Sequence, residues 1–180
     1  MRQFNFKIVV IGDKGVGKTS LINKYILNKF ERDYISTIGV NILLKDMQLE
    51  KDQITYICQL MFWDVGGQEK FGNVRHMFYR GANAALLVYD LTRPASFLMM
   101  PDFLQDLEDT LQKKIPFVIL GNKVDLGEMR HVERENAEKL METSQALAFF
   151  ETSAKTGANV EESFKRIAEV CLRNALSYKS

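Results

Sequence analysis

Gly12-Asp13-Lys14-Gly15-Val16-Gly17-Lys18-Thr19 follows an apolar run from Phe4 to Ile11 and leads into a helical pattern, Lys18 to Asn28, with Leu21, Ile22 and Tyr25 on one face. The string fits G-x-x-x-x-G-K-[ST], and a strand before it with a helix after it is the context a phosphate loop requires. Its glycines let the backbone wrap so that amides point inward at phosphate oxygens. The helix start adds free amides and a positive dipole end. The residues expected to line a phosphate are Lys14, Gly15, Val16, Gly17, Lys18, Thr19 and Ser20. Lys18 supplies a point charge for the β- and γ-phosphates, and the Thr19 hydroxyl suits Mg²⁺.

Strand-like and helix-like blocks alternate outward from this loop. Strands are expected over Gly39 to Leu49, Ile54 to Trp63, Ala84 to Tyr89, Ile115 to Leu120 and Ala148 to Glu151. The first two are joined by a polar turn, Glu50 to Gln53, as a hairpin. Helices are expected near Gln68 to Tyr79, Ser96 to Leu111, Glu133 to Thr143 and Asn159 to Ala175, with Pro101 in the first turns of its helix or kinking it. In the last helix Val160, Phe164, Ile167, Ala168, Cys171, Leu172 and Ala175 form one stripe, a docking face for the sheet. Continuous apolar strands alternating with helices imply an α/β fold with three layers: a mostly parallel six-stranded sheet, one antiparallel hairpin strand and about five helices. Such sheets bind ligands at the carboxyl ends of their strands.

The chain has 180 residues with 24 basic and 23 acidic side chains, a formal charge of +1, and 46% hydrophobic composition. That is one folded domain over residues 1–180; a disordered chain is excluded, and so is a nucleic-acid partner held by clustered positive charge. The longest purely apolar stretch, Ala84 to Tyr89, is too short to span a bilayer, and the N-terminus has no signal-peptide core. Arg2 stands where myristoylation needs glycine. Two separated cysteines, Cys58 and Cys171, each in an apolar segment, suggest buried thiols in a reducing, cytoplasmic setting.

Three further loops at strand ends carry chemistry. Trp63-Asp64-Val65-Gly66-Gly67-Gln68-Glu69 puts an aspartate where it can hold Mg²⁺ through water. Gly67 permits close backbone approach to a γ-phosphate, and Gln68 can orient an attacking water as donor and acceptor. Gly121-Asn122-Lys123-Val124-Asp125 offers a carboxylate as bidentate acceptor for the adjacent ring N–H and amine of guanine, a donor pair that adenine lacks. Glu151-Thr152-Ser153-Ala154-Lys155 offers a backbone amide, at Ala154, to the guanine carbonyl.

GDKGVGKT, Thr37, WDVGGQ, GNKVD and ETSAK, in that order, resemble the Ras superfamily of small GTPases from about Phe4 to Asn174. Tyr34 to Val40, Trp63 to Phe71 and Phe78 to Ala82 resemble its Rab branch most closely. The resemblance implies a GTP-hydrolysing switch that binds GTP or GDP with Mg²⁺ and recruits effectors in vesicle trafficking or signalling. It implies that Gln68, Lys18 and Thr37 serve hydrolysis, and that Thr19, Thr37 and Asp64 serve the metal. Phe30 would lie against the base and Tyr34 would cover the phosphates. Asn122, Lys123, Asp125, Ser153, Ala154 and Lys155 would hold the base. Switch I would run about 30–40 and switch II about 66–79, meeting exchange factors, GTPase-activating proteins (GAPs) and effectors, with the chain a monomer.

The sequence departs from the Rab pattern in several places. Lys14 replaces a small residue beside the γ-phosphate, where it can slow hydrolysis or alter the response to a GAP. Val65-Gly66 makes an Arf-like Asp-Val-Gly-Gly-Gln string, and the hairpin is about four residues longer than usual. Ile42, Trp63 and Phe78 stand for the Phe–Trp–Tyr triad that Rab effectors meet. Arg32 does not match the position of a built-in arginine finger and is expected to be a surface residue. The sequence ends at Lys179-Ser180 with no lipidated cysteine, so no membrane anchor is expected within it, and peripheral membrane attachment would need a lipidated tail beyond it. A hydrolysis-impaired scaffold that acts by partner recruitment is the alternative to the switch, with Lys14 its one support.

Overall fold

A computed structural model describes residues 2–29, 40–66 and 72–177. In chain order these form β1 (Arg2–Ile11), α1 (Lys18–Leu27), β2 (Val40–Lys51), β3 (Ile54–Val65), α2 (Gly72–Tyr79) and β4 (Ala84–Asp90). They continue as α3 (Pro94–Leu98), α4 (Met100–Leu111), β5 (Phe117–Asn122), a 3₁₀ segment (Val124–Met129), α5 (Arg134–Ser144), β6 (Ala148–Thr152) and α6 (Val160–Ser177). One six-stranded sheet has the order β2-β3-β1-β4-β5-β6. Every neighbouring pair is parallel except β2 with β3. β1 lies where the connections turn from one side of the sheet to the other, which is where a crevice opens at the carboxyl ends of the strands.

The sheet is buried on both faces, so alternate residues of one strand enter different cores. From β1, Phe6, Ile8 and Val10 join α1 and α6; Val9 and Ile11 join α2, α4 and α5. From β4, Ala84, Leu86 and Val88 take the first side, and Ala85, Leu87 and Tyr89 the second. The expected stripe of α6 packs into the first core, where the Phe164 ring lies tilted against Tyr25 at 4.3 Å and Phe62 at 5.1 Å between centroids. Cys58 and Cys171 lie in the same core as free thiols, and burial pushes the Cys171 thiol up to about 12.

Two expectations need correction. The helix expected over Ser96 to Leu111 is two helices, making six α-helices among the described residues: the helix breaks at Met99, and Pro101 sits in the first turn of α4, where its missing N–H costs nothing. The apolar pattern runs unbroken across Phe97, Met100 and Phe103, which hides the break from periodicity. The hairpin turn is two residues, not four. Asp52 (φ 51°) and Gln53 (φ 62°) are both left-handed, the pairing that matches strand twist, and Lys51 pairs directly with Ile54. Among the described residues, no helix is long and apolar enough to cross a membrane.

Phe164→Ala should lower unfolding free energy by about 3–5 kcal/mol, because it opens a cavity among rings with 0% exposure at its centre. Leu98→Ser, at a side chain 72% exposed, should change it by less than about 0.5 kcal/mol. Denaturant midpoints at constant slope measure both.

Candidate active site

The loop between β1 and α1 is shaped by two close approaches. Gly12 (φ +154°) lies so near β4 that a Cβ would stand 2.1 Å from the Val88 carbonyl oxygen. Gly17 (φ +98°) is left-handed, and a Cβ there would stand 2.3 Å from Asn122 Nδ2. Only glycine fits either position. Inside this turn Lys18 is 6% exposed, and its ammonium donates to the carbonyls of Gly12 (2.7 Å) and Asp13 (2.8 Å). The ammonium is thereby folded back over the loop at the amino end of α1, where an anion is favoured.

Lys14 is exposed, and its backbone N–H donates to Asp13 Oδ1 (2.6 Å). Its peptide group is thus committed within the loop, and the side chain is what it presents outward. Arg93, in the turn after β4, donates from Nη2 to Asp13 Oδ2 (2.8 Å) and to the Lys14 carbonyl (2.6 Å).

The Thr19 hydroxyl donates to Asp64 Oδ2, joining the start of α1 to the carboxyl end of β3. Asp64 is fully buried. A hydroxyl and a carboxylate brought together at a strand end are hard oxygen donors, the set that Mg²⁺ takes, so these residues fit that ion. Buried Lys18 and the amides at the start of α1 fit a polyphosphate.

A second group of side chains converges through Asn122, the last residue of β5 and 2% exposed. Its Nδ2 donates to the Val16 carbonyl (2.9 Å), and its Oδ1 accepts from Ala154 N–H (3.3 Å) and the Thr152 hydroxyl (3.4 Å). One side chain therefore ties the loops after β1, β5 and β6. The Ser153 hydroxyl donates to Asp125 Oδ1 (2.6 Å), and Lys155 Nζ lies 4.0 Å from Asp125 Oδ2. Lys123 is held by Asp90 at 2.7 Å. Burial alone would raise the Asp90 carboxyl; Lys123 together with the Thr92 N–H and hydroxyl outweighs it and keeps it below the usual carboxylate range.

Of the sequence-derived site residues, the structure brings Lys18, Thr19 and Asp64 together at one end, and Asn122, Lys123, Asp125, Ser153, Ala154 and Lys155 at the other, with Lys14, Gly15, Val16 and Gly17 in the loop between and Ser20 in the first turn of α1. Phe30, Arg32, Tyr34, Thr37, Gly67 and Gln68 lie outside the described residues. Sequence reasoning missed Asp90, Arg93 and the pair Arg130–Glu151, in which a guanidinium grips both carboxylate oxygens at 2.8 Å and joins the 3₁₀ segment's end to β6. Asp90 and Arg93 follow the apolar strand β4, so the strand-end rule pointed to their loop, but no motif marked them.

Asn122→Asp keeps an acceptor and removes the donor to Val16, leaving a charge against a buried carbonyl. Unfolding free energy should fall by about 1–3 kcal/mol or more, read from urea melts of the two proteins. An unchanged midpoint would mean that this bond does not hold the loops.

A model of the Ras family matches residues 7–173. The chain is 40% identical over 179 residues to the Ras-related protein RABG3f of Arabidopsis thaliana, covering 96% of this chain and 85% of that protein. It is 38% identical over 168 residues to the Ras-related protein Rab-7a of Paramecium octaurelia, covering 91% and 80%. It is 38% identical over 173 residues to the Ypt/Rab-type GTPase ypt7 of Schizosaccharomyces pombe, covering 93% and 82%. The chain therefore belongs to the Ras family, as a Rab-like small GTPase that works as a GTP-hydrolysing molecular switch.

Proposed function

We propose that the GTPase cycle of this chain divides its labour along the crevice just described. The amides from Gly15 to Ser20 cradle the phosphates, and Lys18 offsets charge on the β- and γ-oxygens. Thr19 and Thr37 offer hydroxyls to Mg²⁺, and Asp64 holds it through water. When bound, that ion neutralises charge developing on the phosphate oxygens. Gln68 orients the attacking water, and the Gly67 amide meets the γ-phosphate. Tyr34 covers the phosphates, and Thr37 closes only when the γ-phosphate is present. At the other end Asp125 reads the guanine N–H pair, Ala154 its carbonyl, and the stems of Lys123 and Lys155 flank its plane, with Phe30 beside it. Ser153 and Asn122 hold these groups in place. The observation that carries this reading is the convergence on Asn122, which joins the phosphate loop to both base loops.

Regulators and effectors meet switch I (about 30–40) and switch II (about 66–79), with the chain acting as a monomer. The β2–β3 register supports an effector face: Ile42, 47% exposed, pairs directly with Trp63, and the Lys7 ammonium lies 3.6 Å over the indole.

Phosphate release from preloaded GTP, under single-turnover conditions, tests the hydrolytic roles. Gln68→Leu should slow it by about 10- to 100-fold. Lys14→Ser should accelerate it and restore the response to a GAP. Equal, negligible rates in wild type and both variants would overturn the hydrolytic assignment; unchanged rates in Lys14→Ser would remove the role given to that lysine.

Base recognition has its own measurement. Asp125→Asn should weaken GTP binding by about two orders of magnitude and favour xanthosine triphosphate, whose ring presents the matching groups. Unchanged GTP affinity would sink the assignment.

A further inference from the structure

We propose that Arg93 is a positioning residue for GTP hydrolysis, which fixes and polarises the Lys14–Gly15 peptide from outside the phosphate loop. This rests on the reading of that loop given above.

The backbone of Arg93 is immobilised. Its N–H donates to the Asp90 carbonyl (3.0 Å), and its own carbonyl accepts from the Ser96 N–H (3.0 Å) and hydroxyl (2.7 Å). Pro94 then starts α3. Because β4 is hydrogen-bonded to β1, with Leu87 opposite Ile11, the turn after β4 stands beside the loop after β1. From there the guanidinium reaches Asp13 Oδ2 and the Lys14 carbonyl, both through Nη2. Its Nε is buried and meets no acceptor among the described residues, so these two bonds carry its grip. Asp13 Oδ1 meanwhile takes the Lys14 N–H. A single ion pair thus holds both polar groups of the Lys14 backbone, which fixes the rotation of the peptides on either side.

The Lys14 carbonyl and the Gly15 N–H belong to one planar, resonance-stabilised unit. A cationic donor on the oxygen draws electron density toward it and leaves the N–H more positive, the cooperative strengthening expected along a hydrogen-bond chain. Gly15 is left-handed (φ +76°), and Arg93 Nη1 lies 3.8 Å from where its Cβ would be, so the guanidinium sits beside this very turn. A fixed, strengthened donor aimed at phosphate oxygens stabilises the charge that develops in the transition state more than it stabilises the bound ground state. Asp13 anchors the guanidinium without occupying the Lys14 carbonyl.

The test compares Arg93→Ala, Arg93→Lys and Arg93→Gln with wild type in the Mg²⁺–GDP complex. With ¹⁵N-glycine labelling only 11 amides need assignment. The Gly15 amide proton should move upfield in Arg93→Ala and return part of the way in Arg93→Lys, which restores a cationic donor. Single-turnover GTP hydrolysis should fall roughly tenfold in Arg93→Ala, while GDP affinity changes by less than about threefold. An unmoved Gly15 proton in both Arg93→Ala and Arg93→Gln would overturn the inference. So would hydrolysis and GDP affinity falling by the same factor, since that marks a mere brace. If the wild-type Gly15 amide does not respond to GDP, the reading of the loop itself fails, and this inference with it.

Discussion

The hydrogen bond from Asn122 to the Val16 carbonyl joins residues 106 apart in sequence, and the geometry of the ligand crevice depends on it. It exists because β1, β4 and β5 run parallel, so their carboxyl ends open on the same side. It also requires Gly17, since any Cβ there would collide with the amide nitrogen that makes the bond. The same side chain accepts from the β6 loop, so the loops after β1 and β6 share one anchor that is 2% exposed. A bond to a buried neutral group contributes about 1 kcal/mol net, but leaving its partners unsatisfied costs more. That asymmetry makes the position intolerant.

Ion pairs around the crevice are cross-element ties rather than a reservoir of stability. Lys123–Asp90 joins β5's end to β4's, Arg130–Glu151 joins the 3₁₀ segment to β6, and Arg93–Asp13 joins the β4 turn to the phosphate loop. Exposed pairs are worth roughly 0–1 kcal/mol. Partly buried, hydrogen-bonded pairs contribute orientation, because breaking one leaves a charge without its partner. The bidentate Arg130–Glu151 contact has this character, with side chains only 23% and 12% exposed. It fixes the end of the 3₁₀ segment after β5 against the strand β6.

The fold was legible where burial imposes a period. Continuous apolar runs in β4 and β5 and the stripe of α6 have no alternative that hides so much apolar surface. The motif ends of the crevice were legible because Gly12, Gly17 and Lys18 answer to backbone geometry and charge that few other residues meet. The break at Met99 was not, since its flanking apolar residues continue the helical period through it. Nor was the two-residue hairpin, because Asp52-Gln53 lacks the glycine that normally announces two left-handed residues. Arg93 was invisible for another reason: a lone arginine in a polar turn gains meaning only from what the sheet places beside it.

Tyr25 shows how far the crevice's support extends. The start of α1 carries Lys18 and Thr19, so whatever holds α1 holds these two side chains. Near the other end of that helix, the Tyr25 ring meets Phe62 of β3 at 5.7 Å and Phe164 of α6 at 4.3 Å. Its carbonyl accepts from Lys45 of β2 (2.8 Å), whose ammonium also lies 3.7 Å over the ring and 3.9 Å from Glu161 of α6. Lys45 points inward from the strand that carries Ile42 and Leu44 outward, because side chains alternate. The hairpin therefore cannot slide along α1 without breaking a hydrogen bond and a cation–π contact and disturbing three packed rings. A one-residue slip would also turn Lys45 to solvent and Leu44 inward. The strand presenting the exposed apolar face and the helix carrying Lys18 and Thr19 are thus fastened at one residue, and geometry at either surface constrains the other.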